Sequence, residues 1–214
     1  MTVINKRYFQ SLLLSIVLLL GLAGLAAAGT VTITFTGQNG AKQGGVFVNP
    51  YYATVDGVPD VTVGCDDFTH DINIGETWEA YVSNLSDLSQ VRFQQGTAAK
   101  TLQDYEEEAF LYDYLVLNPS QYGNVSFAMW AIFSPFKAIH SKGWTMQADA
   151  DYNLARSQTF TSGEFPNFLI YTPTTSGKYS PQEFVTNAPT PEPATLLLLG
   201  TGLLGGIIRK RKTA

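Results

Sequence analysis

The residues best suited to chemistry lie in one short run, VGCDDFTHD, at positions 63–71. It holds the only cysteine of the 214-residue chain, Cys65, followed by Asp66, Asp67, His70 and Asp71. A single cysteine forms no intramolecular disulfide, so the thiol is reactive, bridged to another molecule, or simply a small buried hydrophobe. The surrounding acids disfavour a thiolate, because like charge penalises ionisation. Local chemistry therefore points to a buried strand thiol. The same acids with His70, joined by Asp56 and Asp60 upstream, offer oxygen ligands of the kind Ca²⁺ takes. Their spacing does not follow the calcium-loop pattern D-x-[DN]-x-[DN]-G, and a solvated acidic face explains them as well. No metal and no cofactor is assigned. The chain has no G-x-S-x-G, no H-E-x-x-H and no P-loop. Its two histidines are His70 and His140, and nothing singles out a Cys65–His140 pair or two carboxylates for glycoside cleavage among 18 acids. Trp78, Trp130 and Trp144 sit at helix and strand spacing, which favours core over a sugar-stacking platform. The sequence reads as non-catalytic, with a secreted hydrolase as one alternative.

The elements that must position these residues change period along the chain. Residues 31–36, VTITFT, alternate as a strand does. Residues 37–45 read as a Gly-rich loop, and 46–55 as a second β-prone run interrupted by Asn49-Pro50. Asp56-Gly57 carries turn chemistry. Residues 61–68 and 76–82 are two more strand candidates, with Trp78 and Tyr81 on opposite faces. From 101 the period becomes helical: Tyr105, Ala109, Tyr112 and Leu115/Val116 share one face of 101–117. Asp104 and Glu106 to Glu108 fall in its first turns, where the positive end of the helix dipole suits them. A second helix is expected over 120–133, with Val125, Ala128/Met129 and Ile132/Phe133 buried, and a third over 145–156. Residues 168–171 form a late strand, and 181–190 read as a polar exit linker. No internal repeat is visible. The expected fold is α+β: an N-terminal antiparallel sheet or small sandwich with a packed helical layer.

Cys65-Asp66 at the end of a β run, then the aromatic helix EEAFLYDYLVL, then a helix carrying Ala128-Met129-Trp130, resembles secreted thioester domains over residues 60–135. In that family the strand cysteine joins a glutamine four residues before the tryptophan of a Gln-x-Ala-Ile-Trp pattern. On this chain Cys65 matches the cysteine and Trp130 the tryptophan, but the glutamine position is Ser126. Serine has no side-chain carbonyl, so the resemblance implies a relative that lacks the thioester by that route and keeps Cys65 as a free thiol. A covalent adhesin using Cys65 stays open as the other alternative.

The two ends say where the protein goes. Lys6 and Arg7 precede an apolar run over 12–25, and Ala26-Ala27-Ala28 places small residues at the positions a signal peptidase reads, before Gly29. This is a signal-peptide layout over 1–28 with cleavage after Ala28. Near the other end, Pro191-Glu192-Pro193 precedes an apolar run over 194–208 and the cations Arg209, Lys210, Arg211 and Lys212. Fifteen helical residues span about 22 Å, short of a bilayer core of about 30 Å but within reach of snorkelling and thinning. The cations stay cytoplasmic and leave the middle outside. That middle, 29–190, holds seven Lys/Arg against 17 Asp/Glu, which excludes a nucleic-acid partner.

The three-part layout over 191–214 resembles the bacterial PEP-CTERM sorting signal. The resemblance implies an inner-membrane precursor, recognition of Pro191-Glu192-Pro193 by an exosortase that removes the tail, and a host that makes exopolysaccharide. Such tails are also labelled as the C-terminal domain of an ice-binding protein, yet the chain has no regular Thr-rich repeat that would make a flat, lattice-matching face. The expected domains are signal peptide 1–28, ectodomain 29–180, linker 181–190 and sorting signal 191–214. The expected protein is an exported surface or exopolysaccharide-matrix component whose partners are signal peptidase, exosortase and, transiently, the inner membrane.

Overall fold

The computed structural model describes residues 29–188. The expected signal peptide with Ala26 and Ala28, the Pro191-Glu192-Pro193 motif, the 194–208 span and the 209–212 basic tail lie outside the described residues. Gly29, expected as the first mature residue, is inside them, and its carbonyl accepts a hydrogen bond from the Val82 N–H at 3.2 Å.

The strands are β1 (Thr30–Gln38), β2 (Lys42–Gln43), β3 (Val46–Phe47), β4 (Tyr51–Val55), β5 (Val58–Cys65), β6 (Thr77–Asn84), β7 (Phe168–Pro173) and β8 (Phe184–Asn187). Six of them close a barrel in the order β1-β4-β5-β8-β7-β6, every neighbour antiparallel, while β2 and β3 form a separate small hairpin. The α+β class holds, but the sheet is a closed barrel and not a sandwich. The strand that closes it is β8, which lies inside the stretch expected as a linker. It pairs with β5 through Cys65↔Phe184 and with β7 through Ile170↔Val185, so the folded unit runs past 180 to Asn187. Closure leaves β5 and β7 no free edge.

Alternation sets the barrel interior. Ile33 and Phe35 of β1, Tyr51, Ala53 and Val55 of β4, Val63 and Cys65 of β5, Trp78 and Ala80 of β6, Tyr171 and Phe184 pack there as one cluster. The β4–β5 hairpin turns on Asp56 and Gly57, both at positive φ (48° and 79°), as a two-residue primed turn requires.

Between β6 and β7 the chain builds the helical layer: α1 (Ala98–Leu117), a 3₁₀ turn (Pro119–Gln121), α2 (Tyr122–Phe133), α3 (Pro135–Ile139) and α4 (Met146–Arg156). Thr97 caps α1 by accepting from the Lys100 N–H, and Thr145 caps α4 by accepting from the Ala148 N–H. The expected face of α1 is buried at Tyr105, Ala109, Tyr112 and Leu115, while Val116 is exposed. Because α1 starts three residues earlier than the sequence suggested, no acid lies in its first turn. Asp104, Glu107 and Glu108 are instead buried in its body. The outer faces of β7 and β8 (Phe168, Ile170, Val185) pack under α1 and α2 as a second core. Gly64 makes the docking close: a Cβ there would lie 2.8 Å from Tyr112 Cδ2. Among the described residues no helix is long and apolar enough to cross a membrane.

Candidate functional site

Cys65, Ser126 and Trp130 meet where the end of β5 lies under α2. The organiser is Asn49, which sits just before β4, is fully buried, and precedes a cis Asn49–Pro50 peptide. Its Oδ1 accepts from the Cys65 N–H at 2.7 Å and its Nδ2 donates to the Cys65 carbonyl at 3.0 Å. The Asn49 N–H donates to Ser126 Oγ at 2.9 Å, and that hydroxyl donates onward to the Tyr122 carbonyl at 2.6 Å. Trp130 Nε1 completes the set by donating to the Cys65 carbonyl at 2.7 Å. The Cys65 thiol is free, fully buried, and donates to the Asp67 carbonyl at 3.3 Å. Burial first, then the Asp67 and Asp66 charges, push its pKa well up, so it rests as a thiol.

Downstream of Cys65 the chain turns through Asp67. Its carboxylate accepts from the Thr69 N–H (2.9 Å) and hydroxyl (2.8 Å), from His70 Nδ1 (2.7 Å) and from Arg92. Burial pushes this carboxyl up, but the Thr69 N–H, Arg92, the Thr69 hydroxyl and His70 outweigh burial and hold it below the usual range. Arg92 also donates to Ser180 Oγ (2.6 Å) and the Pro181 carbonyl (2.7 Å), which ties the approach to β8 onto this loop. Gln182 Nε2 donates to the carbonyls of Asp67 (3.1 Å) and His70 (2.5 Å). The Cys65 thiol and the Gln182 amide thus share one acceptor, the Asp67 carbonyl. A cleft of about 320 Å³ opens over this loop, lined by Phe47, Phe68, His70, Asp71, Trp130 and Gln182 among others.

Behind Cys65 lies a buried carboxyl group set. Glu183 accepts from the Tyr105 hydroxyl (2.6 Å), the Thr172 hydroxyl and the Arg92 N–H (2.9 Å). Asp66 and Glu108 are fully buried beside it, and none of their four oxygens has a hydrogen bond of ordinary geometry. Burial, then the neighbouring Glu183 and Glu108, push Asp66 well up; burial, then Glu183, do the same to Glu108. Burial and the neighbouring carboxyls therefore favour the neutral form of both.

The acids grouped by sequence separate in space. Asp66 and Asp67 are buried, Asp71 is exposed, and Asp56 Oδ1 accepts from the Thr32 N–H at the far hairpin. Among the described residues no group of three His, Cys, Asp or Glu side chains is placed to hold a metal ion. His140 caps α3, its Nδ1 on the Phe136 carbonyl, and makes no hydrogen bond to Cys65. Trp78 and Trp130 are core, and Trp144 is half-buried. Sequence reasoning missed Asn49, Arg92, Gln182 and Glu183, because each reaches the site from far along the chain. Gln182 is recognisable only once Phe184 is known to pair with Cys65.

Residues 189–212 match the family model described as the PEP-CTERM protein-sorting motif. No curated protein and no solved structure matches the chain. The C-terminal segment is a PEP-CTERM sorting motif, which marks the chain as an exosortase substrate.

Proposed function

We propose that this PEP-CTERM protein is an exported, non-catalytic component of the cell surface or of an exopolysaccharide matrix. Its precursor is held at the inner membrane and processed by exosortase at Pro191-Glu192-Pro193. The match at 189–212 supports the sorting part of this reading. Two prolines flanking Glu192 remove two backbone donors and disfavour helix. Signal peptidase acts first at the other end, after Ala28. In a host with exosortase, Glu192→Ala leaves the tail attached, seen as an undiminished mass on immunoblot and retention in the inner-membrane fraction. Normal processing of the variant overturns the sorting reading.

A second reading is supported by the shared acceptor of Cys65 and Gln182: a covalent adhesin whose internal acyl group is drawn from Gln182 and not from position 126. The Cys65 sulfur attacks Cδ of Gln182, the S–C bond forms, the C–N bond breaks, and the thiol proton leaves with the amide nitrogen as ammonia. Intact mass decides between the readings: about 17 Da below the sequence mass for the adhesin, the full mass and one titratable thiol for the passive component.

A further inference from the structure

We propose that the cleft at the mouth of the barrel is a binding site for a neutral sugar unit. This deepens the matrix reading above by naming the ligand class. The cleft lies between the β2–β3 hairpin, the loop after Cys65 and the approach to β8, and its volume of about 320 Å³ is within the range of small-ligand sites. One wall is apolar and aromatic. Phe68 stacks on Trp130 (centroids 4.8 Å apart, planes at 26°), and Phe47 is 37% exposed at the hairpin, where Lys42 Nζ covers its ring from 4.1 Å. Trp130 is itself core, so the ring surface open to a ligand is that of Phe47 and the uncovered part of half-buried Phe68, a surface that suits the CH face of a pyranose ring.

The other wall is polar, with Gln38, His70, Asp71 and Gln182. Gln182 spends both amide hydrogens on the Asp67 and His70 carbonyls, so its orientation is fixed, and its Oε1 is left buried without a donor. His70 spends Nδ1 on Asp67, and its Nε2 has no partner among the described residues. Asp71 stands exposed at the rim. Gln38 also lines the cleft and carries both donor and acceptor atoms, so a ligand whose groups both donate and accept, as hydroxyls do, meets this wall. No Lys or Arg lines the cleft, and the two nearest cations are engaged, Lys42 over the Phe47 ring and Arg92 on Asp67, so neither is presented to an anion. Asp67, the acid within it, is already held by Arg92, His70 and Thr69, so nothing buried demands a cation. An uncharged ring with hydroxyls at its edge and an apolar face meets all of these conditions.

The test is calorimetric titration of the full chain in a detergent without a sugar headgroup. The probes are cellohexaose and maltohexaose, with hexagalacturonate and tetramethylammonium as charged counterparts. A neutral hexaose binds, the charged probes bind about tenfold or more weaker, and Phe47→Ala weakens the sugar about tenfold with Tm unchanged. Absence of hexaose binding at about 10 mM, preference for a charged probe, or binding indifferent to Phe47→Ala overturns the site. Any of these results leaves the sorting reading standing, since that is decided by Glu192 processing.

Discussion

Asn49 pairs with Cys65 as a strand partner would: its side-chain amide offers one acceptor and one donor to the Cys65 N–H and carbonyl. The main chain of β5 is thereby satisfied at the point where its ladder to β4 has ended, since β4 begins at Tyr51, opposite Val63. Asn49→Ala strands the buried Cys65 N–H and removes one of two donors from its carbonyl, with Trp130 remaining. A buried donor without a partner costs about 1–3 kcal/mol. Urea unfolding of Asn49→Ala is expected to give a loss of about 2–4 kcal/mol at unchanged m-value. A loss under about 0.5 kcal/mol would show that the pairing contributes nothing.

The buried carboxyls give stability a pH dependence. Asp66 and Glu108 have folded pKa values raised well above those of the unfolded chain. Their contribution is full below the unfolded values of about 4 and is lost as pH rises toward the folded values. Asp67 runs the other way: its lowered pKa gives stability above about pH 4 that is lost as pH falls. The urea midpoint is therefore expected to peak in mild acid and to decline toward pH 8. One unit of displacement is worth about 1.4 kcal/mol, so the decline is measurable. In Asp66→Asn with Glu108→Gln it flattens. A profile of the same slope in that double variant removes these two groups as the cause.

Gly64 is a test of how the helical layer docks. A methyl there meets the Tyr112 ring at 2.8 Å, with Met129 Cε at 3.2 Å behind it. Tyr112 is itself anchored by its hydroxyl to the Thr62 carbonyl at 3.0 Å, so it has little room to yield. Gly64→Ala is expected to cost about 1–3 kcal/mol through overpacking. Gly37→Ala, where a Cβ meets nothing within 4 Å, serves as the control. Equal melting temperatures for the two variants would contradict this account of the interface.

Much of this architecture was legible because its periods are local. β1 alternates through Ile33 and Phe35 and α1 presents the apolar face its spacing implies, whereas α2 is buried all round from Val125 to Phe133 and not along a single stripe. Barrel closure was not legible, because β8 is four residues long and sits among prolines and polar residues. The burial of Glu107 and Glu108 was hidden for a related reason: their type argues for solvent, and Gln103 on the same helix serves Glu107 but the late-arriving Arg156 and Glu183 complete their surroundings. At the site, Cys65 and Trp130 announce themselves by type. Arg92 and Gln182 act through partners 25 and 115 residues away, and no window of sequence holds both ends of such a contact.

The state of Cys65 follows from its surroundings and can be read directly. A fully buried thiol with a raised pKa offers little thiolate to an alkylating reagent. With iodoacetamide at pH 8, the folded protein is expected to resist modification on a timescale at which the urea-unfolded protein reacts fully. Trp130→Phe removes a donor from the Cys65 carbonyl without opening a large cavity, so it is expected to speed modification through local opening while the far hairpin at Asp56-Gly57 keeps its amide-exchange protection. Modification of the native wild type at the rate of a free cysteine would place the thiol at the surface and remove the basis for its inertness. A thiol that fails to react even after unfolding, yet appears on hydroxylamine treatment, would instead assign the sulfur to an acyl bond, and loss of that behaviour in Gln182→Ala would place the acyl group on Gln182.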